Sequence, residues 1–414
     1  MLNLLWLGFF LVGAISATVQ WLWLGDAEVM SRVVNSLFSM ARVSVDIVLV
    51  MFGTLTLWLG LLNIAQRAGL IESLARILGP LFARLMPEVP RGHPSLGLIT
   101  MNFAANALGL DNAATPVGLK AMRELQTLNP HPETATNAQI LFLVLNASSL
   151  TILPVTIFMY RLQQGAAEPA LVFLPILLAT SASTLAGFLA VAWMQRLRIV
   201  DPVVLAWMAA VALLVCTILA AAASLGAAAL THVSALAGNL ALTGFIVLFL
   251  AVGAWRKIPV YEAFVTGAKE GFDIAKDLLP YLVAMLCAIG FFRASGALDF
   301  LLDGIRTIFV WIGTDTRFVD ALPTALIKPF SGSAARAMLI ETMQHHGVDS
   351  LPALIAATVQ GSTETTFYVL AVYFGAVGIS RARHAVGCAL IADLAGILAS
   401  IIVCYLFFAN GLPS

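Results

Sequence analysis

Runs of about 20 apolar residues recur along this chain, and at 1.5 Å per helical residue each can cross a ~30 Å hydrocarbon core. The clearest are 1–24, 46–65, 138–160, 170–195, 202–224, 233–255, 278–293, 352–376 and 384–408. Inside a bilayer only helices and closed barrels satisfy every backbone N–H and C=O, and runs of this length read as helices. The expected fold class is therefore an all-α polytopic membrane protein. Composition agrees: of 414 residues, 60% are hydrophobic and 11% charged, with a mean hydropathy of +0.95. A soluble domain carries about 25% charged residues. The 22 basic and 22 acidic residues balance, which argues against a nucleic-acid binder that works through bulk charge. The opening Met1-Leu2-Asn3-Leu4-Leu5-Trp6 lacks the basic n-region of a cleaved signal peptide. Residues 1–24 thus read as a retained first helix, anchored at the interface by Trp21 and Trp23. Cys216, Cys287, Cys388 and Cys404 lie in apolar stretches without CxxC or Cys/His spacing, so neither a disulfide nor a metal site is expected.

Two stretches, 66–90 and 297–312, are amphipathic and suit helices at the membrane surface. Two others, 93–119 and 322–343, are moderately apolar but broken by Gly, Pro, Ser, Asn and Asp. An internal repeat accounts for both pairs. Asp46-Ile47 matches Asp273-Ile274, and Gly69 to Phe82 follows Gly296 to Phe309. Asp111-Asn112-Ala113-Ala114 then sits opposite Gly332-Ser333-Ala334-Ala335, and Asn146 to Thr151 faces Gln360 to Thr365. If 93–119 and 322–343 each enter and leave on one side, each copy makes three crossings and the second copy is inverted. With the amino terminus cytoplasmic, fourteen Lys and Arg side chains, including Arg67, Lys120, Lys269, Lys276 and Arg381, fall on the inner side. Arg32, Arg42, Arg161, Arg306 and Arg317 fall on the other. That distribution obeys the positive-inside rule. The expected organisation is an extra helix at 1–28, a first repeat at 29–200, a linking hairpin at 201–257 and a second repeat at 258–414. Asp46, Asp273, Lys276 and Asp277 read as span-end residues that snorkel to the interface.

Non-helical backbone at membrane depth is tolerated only where protein or a water-filled cavity satisfies it. Four segments fit: Ala107 to Pro116, Lys328 to Arg336, Asn146-Ala147-Ser148-Ser149 and Gln360-Gly361-Ser362-Thr363-Glu364-Thr365. Discontinuous helices at matching positions of two halves point to a transporter site. Candidate substrate contacts are Asn112, Asn146, Ser148, Ser149, Ser331, Ser333, Arg336, Gln360, Ser362, Thr363 and Thr365. For any one of the serines, close helix packing competes with a binding role. Ionisable residues inside spans are functional candidates, and Glu364, Asp393 and Asp111 are the candidates for ion coupling. A structural ion pair between Arg336 or Lys328 and Glu364 or Asp393 is the alternative, and Asp111 could instead cap the half-helix after the tip. No HExxH, GxSxG or Walker A motif is present, so no enzyme activity is expected.

The stretch from Met101-Asn102-Phe103 through Leu110-Asp111-Asn112-Ala113-Ala114-Thr115-Pro116 to Met122 resembles the signature of the spore maturation protein A family. Lys328-Pro329-Phe330-Ser331-Gly332-Ser333, followed by Gln360 to Gly375, resembles that of the spore maturation protein B family. Both are nucleoside-recognition, or Gate, membrane families, whose repeats are also found in the ferrous-iron permease and are similar to concentrative nucleoside transporters. The resemblance implies paired inverted repeats, re-entrant hairpins and broken helices around a central polar site. No GTPase domain or Cys- or Met-rich path accompanies it here. The expected function is secondary transport of a small polar metabolite, nucleoside-like, amino-acid-like or a small carboxylate, across the inner membrane. Coupling would be to H+ or Na+, without a cofactor. The amino terminus would be cytoplasmic and the carboxyl terminus on the opposite side. Expected partners are a small-molecule substrate and the lipid bilayer, with no nucleic acid, and self-association into a homo-oligomer is left open. The rival reading is a non-transporting scaffold or ligand sensor that uses the same pocket.

Overall fold

In the computed structural model, which describes residues 2–108, 111–148, 150–197 and 199–409, the chain is an assembly of α-helices. In order these are α1 (Leu2–Trp23), α2 (Val29–Arg67), α3 (Leu70–Leu85), α4 (Pro94–Ala107), α5 (Asp111–Thr127), α6 (Asn137–Ser148), α7 (Val155–Gln163) and α8 (Phe173–Gln195). Then come α9 (Pro202–Ser224), α10 (Ala227–Trp255), α11 (Val260–Ala294), α12 (Ala297–Ile312), α13 (Leu322–Ile327), α14 (Gly332–His346), α15 (Leu351–Ser362), α16 (Thr366–Gly375) and α17 (Ala385–Phe408). Seven of the described helices, α1, α2, α8, α9, α10, α11 and α17, are long and apolar enough to cross a membrane. The protein is an all-α, multi-pass membrane protein.

The longest contact in the molecule is between α2 and α11. Gly267-x-x-x-Gly271 lets α11 lie directly on the backbone of α2: a Cβ at Gly267 would stand 2.3 Å from the Leu59 carbonyl oxygen, and one at Gly271 2.7 Å from that of Leu55. Small residues at such spacing are how membrane helices gain close packing without a hydrophobic driving force. Asn63 Nδ2 donates to the Ala263 carbonyl at 2.6 Å, and Phe52 stacks on Phe272 at 4.6 Å. Further along, a Cβ at Gly290 would strike Met40, and Cys287 reaches the Leu37 carbonyl. As residue numbers rise on one helix they fall on the other, so the pair is antiparallel. The α8 and α17 pair is antiparallel too, with Gly187 against Ala392 and Gly396 against Ser183.

Contacts between connections sort the helix ends into two groups. On one side Arg84 pairs with Asp201, Gln195 meets Asn137 and His384, and the Ala135 amide donates to the Arg381 carbonyl. On the other, Gln20 reaches Ser295, Arg306 pairs with Asp320, and Tyr405 donates to Asp315. There the fully buried Arg161 binds Pro169, Glu168, Val348 and Asp349. Helices α4 and α5 begin and end in the first group. The short α13 and α14 begin and end in the second, where Arg293 and Glu341 also form an ion pair between α11 and α14. The arms of both hairpins, at most 17 residues, fall short of a full crossing. The segments α6–α7 and α15–α16 run between the two groups in opposite directions.

Hydropathy alone misplaced two boundaries. The runs at 46–65 and 278–293 are halves of longer helices, α2 with 39 residues and α11 with 35. Arg42 lies inside α2, and Lys269 and Lys276 lie inside α11 rather than in loops. Asp46, Asp273 and Asp277 are likewise mid-helix and not at span ends. The polar halves stay helical because each pairs with the apolar half of its partner. Replacing Gly267 by Val should lower stability by about 1–3 kcal/mol through overpacking. Gly79, where a Cβ would meet nothing within 4 Å, should tolerate Ala. Thermal unfolding of the detergent-solubilised variants checks both.

Candidate functional site in the paired helix breaks

Both interrupted segments break for local chemical reasons. Between α6 and α7, Pro154 has no N–H to continue the helix. Between α15 and α16, Thr363 and Thr365 adopt extended backbone, and hydroxyl side chains compete with helical hydrogen bonding at such points. Each break leaves amides and carbonyls exposed at depth. They are satisfied by one another and by the hairpin tips. The Glu364 amide donates to the Ala147 carbonyl at 2.9 Å, joining the two breaks directly. The Ile152 amide donates to Ala107 at the end of α4 at 3.1 Å, and the Phe367 amide donates to Pro329 after α13 at 3.0 Å. The same kind of bond thus recurs in each half.

Around this junction four helices end and four begin. The carboxyl ends of α4, α6, α13 and α15 bring carbonyl partial charge, and the amino ends of α5, α7, α14 and α16 bring N–H partial charge. Ser331 caps α14, its Oγ accepting from the Ala334 amide at 3.2 Å and lying 3.2 Å from Ser333 Oγ. Gly332 brings that helix start against Thr365, whose Oγ1 would lie 2.8 Å from a Cβ there. Lys328, 3% exposed, donates to the Gln360 carbonyl at 3.2 Å. Arg336 reaches back to the Gly332 carbonyl at 3.2 Å, and Glu364 accepts from the Thr365 amide at 3.3 Å.

Asp393 enters from α17 and is 2% exposed. It faces Thr366, with which its carboxylate can share a hydrogen bond, and Lys328 and Glu364. The hydroxyls of Thr363 and Ser183 and the Oε1 of Gln360 have no hydrogen-bond partner among the described residues. Gly396 permits the arrangement: a Cβ there would stand 2.6 Å from Thr363 and 3.1 Å from Ser183. Buried polar groups without partners are rare and costly, so their concentration along one break is informative.

Not every residue expected from sequence turns into this junction. Ser362 binds the Val359 carbonyl and lies 3.3 Å from Ser400 on α17. Ser148 binds back to Leu145. Asn146 accepts from Asn106 at 3.0 Å and donates to Phe142 at 2.8 Å. The side chains of Asp111 and Asn112, and all of Ser149, lie outside the described residues.

Three neighbours were not singled out from sequence: Asn102, Asn106 and Tyr373. Tyr373 on α16 crosses to the first hairpin, donating to Asn146 Oδ1 and accepting from Asn102 Nδ2, each at 3.5 Å, while its ring stacks on Phe142. Asn102 also donates to the Ala114 carbonyl at 2.8 Å and so ties α4 to α5. Asn102 and Asn106, four apart in an apolar helix, were a readable signal. A tyrosine inside an apolar span was not.

The family model described as nucleoside recognition, Gate, matches the chain twice, at residues 48–162 and 275–380, together more than half its length. The chain belongs to the nucleoside-recognition (Gate) family. Each matched stretch contains one hairpin and one broken helix, while α8 and α17 lie outside both. Spore maturation protein B of Bacillus subtilis (strain 168) is 48% identical over 161 residues, covering 39% of this chain and 89% of that protein. Spore maturation protein A of the same organism is 32% identical over 180 residues, covering 44% of this chain and 88% of that protein. No solved structure matches.

Gly118 tests the packing that carries Tyr373 into the first hairpin, because a Cβ there would stand 2.3 Å from the Tyr373 hydroxyl. Gly118→Ala should cost about 1–3 kcal/mol. In the Tyr373→Phe background the same change should cost measurably less, giving a coupling of at least about 0.5 kcal/mol in a double-mutant cycle. Equal costs in both backgrounds would disconnect the two residues.

Proposed function

We propose that this Gate protein is a secondary transporter that moves a small polar metabolite across the inner membrane. The observation that carries the reading is the cluster of buried polar groups at the α15–α16 break, where Gln360 and Thr363 keep side-chain oxygens without hydrogen-bond partners among the described residues and Asp393 of α17 faces Thr366, beside four converging helix starts. A solute would supply the missing hydrogen bonds and would be recognised by helix-end partial charges as well as side chains. Asn146, Ser331, Ser333, Gln360, Thr363 and Thr365 would contact its polar groups. Arg336 at the start of α14 favours a carboxylate or another anionic group over a neutral nucleoside.

Glu364 and Asp393 are assigned to coupling with H+ or Na+. Both are acidic and close enough to interact with each other, and Asp393 also faces Lys328, so neutralising either changes the charge balance at the break. The antiparallel pairs α2–α11 and α8–α17 support an inverted duplication, in which the halves rock about the central site to expose it to each face in turn. The distribution of basic residues supports an orientation with the end of α2 and the α5–α6 connection in the cytoplasm. The names of the two Bacillus subtilis relatives make a role in spore maturation a hypothesis for a sporulating host only.

The test is ligand-induced stabilisation of purified protein, with nucleosides, nucleobases, amino acids and small carboxylates, each with sodium or potassium at two pH values. A ligand at 100 times its dissociation constant should add about 2.7 kcal/mol if it binds only the folded state. Proteoliposome uptake of that compound should be driven by the ion that enhances the shift. Glu364→Gln and Asp393→Asn should abolish coupled uptake and leave the folded protein at least as stable as wild type. A flat panel without uptake would favour the scaffold or sensor reading. Normal coupled uptake in either variant would remove that carboxylate from the mechanism.

A further inference from the structure

The antiparallel register of α2 and α11 creates a problem that no position in a bilayer solves for a single copy. Asn63 lies beside Ala263 and Leu55 beside Gly271, so the apolar half of α2 runs along the half of α11 that carries Asp273, Lys276 and Asp277. Met40 lies beside Gly290, so the apolar half of α11 runs along the half of α2 that carries Arg42 and Asp46. All five charged residues are exposed, and the Arg42–Asp46 pair, 3.9 Å apart, has side chains 86% and 65% open. At ~58 Å and ~52 Å the helices exceed the ~30 Å hydrocarbon thickness. Whichever half lies at hydrocarbon depth, or if the middle does, exposed charges of one helix or the other accompany it. Charges at that depth face protein or a water-filled cavity, not lipid.

We propose that this charged face is covered by a second copy of the chain, in a two-fold dimer built on α2 and α11. The face carries both signs, and in an isologous contact the same patch meets itself, so Arg42 and Lys276 of one copy can face the aspartates of the other. The Phe52–Phe272 stack joins the two helices. Leu49, 61% exposed and one turn from Asp46, gives the face an apolar component. Polar contacts between helices are favourable where the alternative is an unsatisfied group in hydrocarbon. This inference rests on the membrane assignment alone and is independent of what the central site binds.

The test is in-membrane photocrosslinking of the full chain with a benzophenone amino acid replacing Leu49, with a control at Leu213, which is 70% exposed on α9. The expected result is a product of twice the monomer mass from position 49 and none from position 213. Monomer alone from position 49 would overturn the dimer, as would a product whose mass is not a multiple of the chain. Making the face predominantly acidic with Arg42→Glu and Lys276→Glu should reduce the doubled product at least tenfold. Co-expression with a copy carrying Asp46→Lys, Asp273→Lys and Asp277→Lys should restore it as a mixed pair, which a merely misfolded variant would not do. An undiminished product in the acidic variant would show that charge pairing does not hold the contact.

Discussion

A backbone broken inside a membrane must find its hydrogen bonds within the protein, and the centre of this molecule is organised by that requirement. The three amide-to-carbonyl bonds from Glu364 to Ala147, Ile152 to Ala107 and Phe367 to Pro329 tie each broken helix to a hairpin tip and both breaks to each other. Each bond also fixes where a helix starts or stops. The junction therefore assembles helix ends with opposite partial charges, and these give the site its polarity before any side chain is counted.

The two halves contribute unequally. The described first-half side chains, Asn102, Asn106 and Asn146, are neutral and mostly bonded to one another or to backbone. The second half brings Lys328, Arg336, Glu364 and Asp393. A site with charge on one side and amides on the other can bind an asymmetric solute in a defined orientation. Tyr373 links the halves, because its hydroxyl belongs to α16 while its partners belong to the first hairpin and α6. A motion of one half relative to the other would have to break or carry that contact.

Much of this was legible residue by residue. The apolar spans, the hairpin tips and both breaks carry local signals: long apolar runs, Pro154 and Pro329, and the Ser/Thr/Gly clusters. The Ser331 cap was readable from its position before Gly332-Ser333-Ala334. Less legible was the fate of individual serines, since a hydroxyl at a break can turn inward or, as Ser362 does, toward a neighbouring helix. Asp393 stood out as a charge in a span, but its neighbours come from α13, α15 and α16 and could not be named in advance.

Sequence by itself determined that the chain is helical, crosses a membrane repeatedly and interrupts its helices at matching places, because hydropathy and helix breaking act between residues close along the chain. Tertiary structure alone decided which groups meet. Asn146 and Tyr373 are 227 residues apart, and the full lengths of α2 and α11 emerge only from their pairing. The α2–α11 pairing depends on how closely two backbones can approach at Gly267 and Gly271 and on the antiparallel register this contact sets. Neither is written in the hydropathy of either helix.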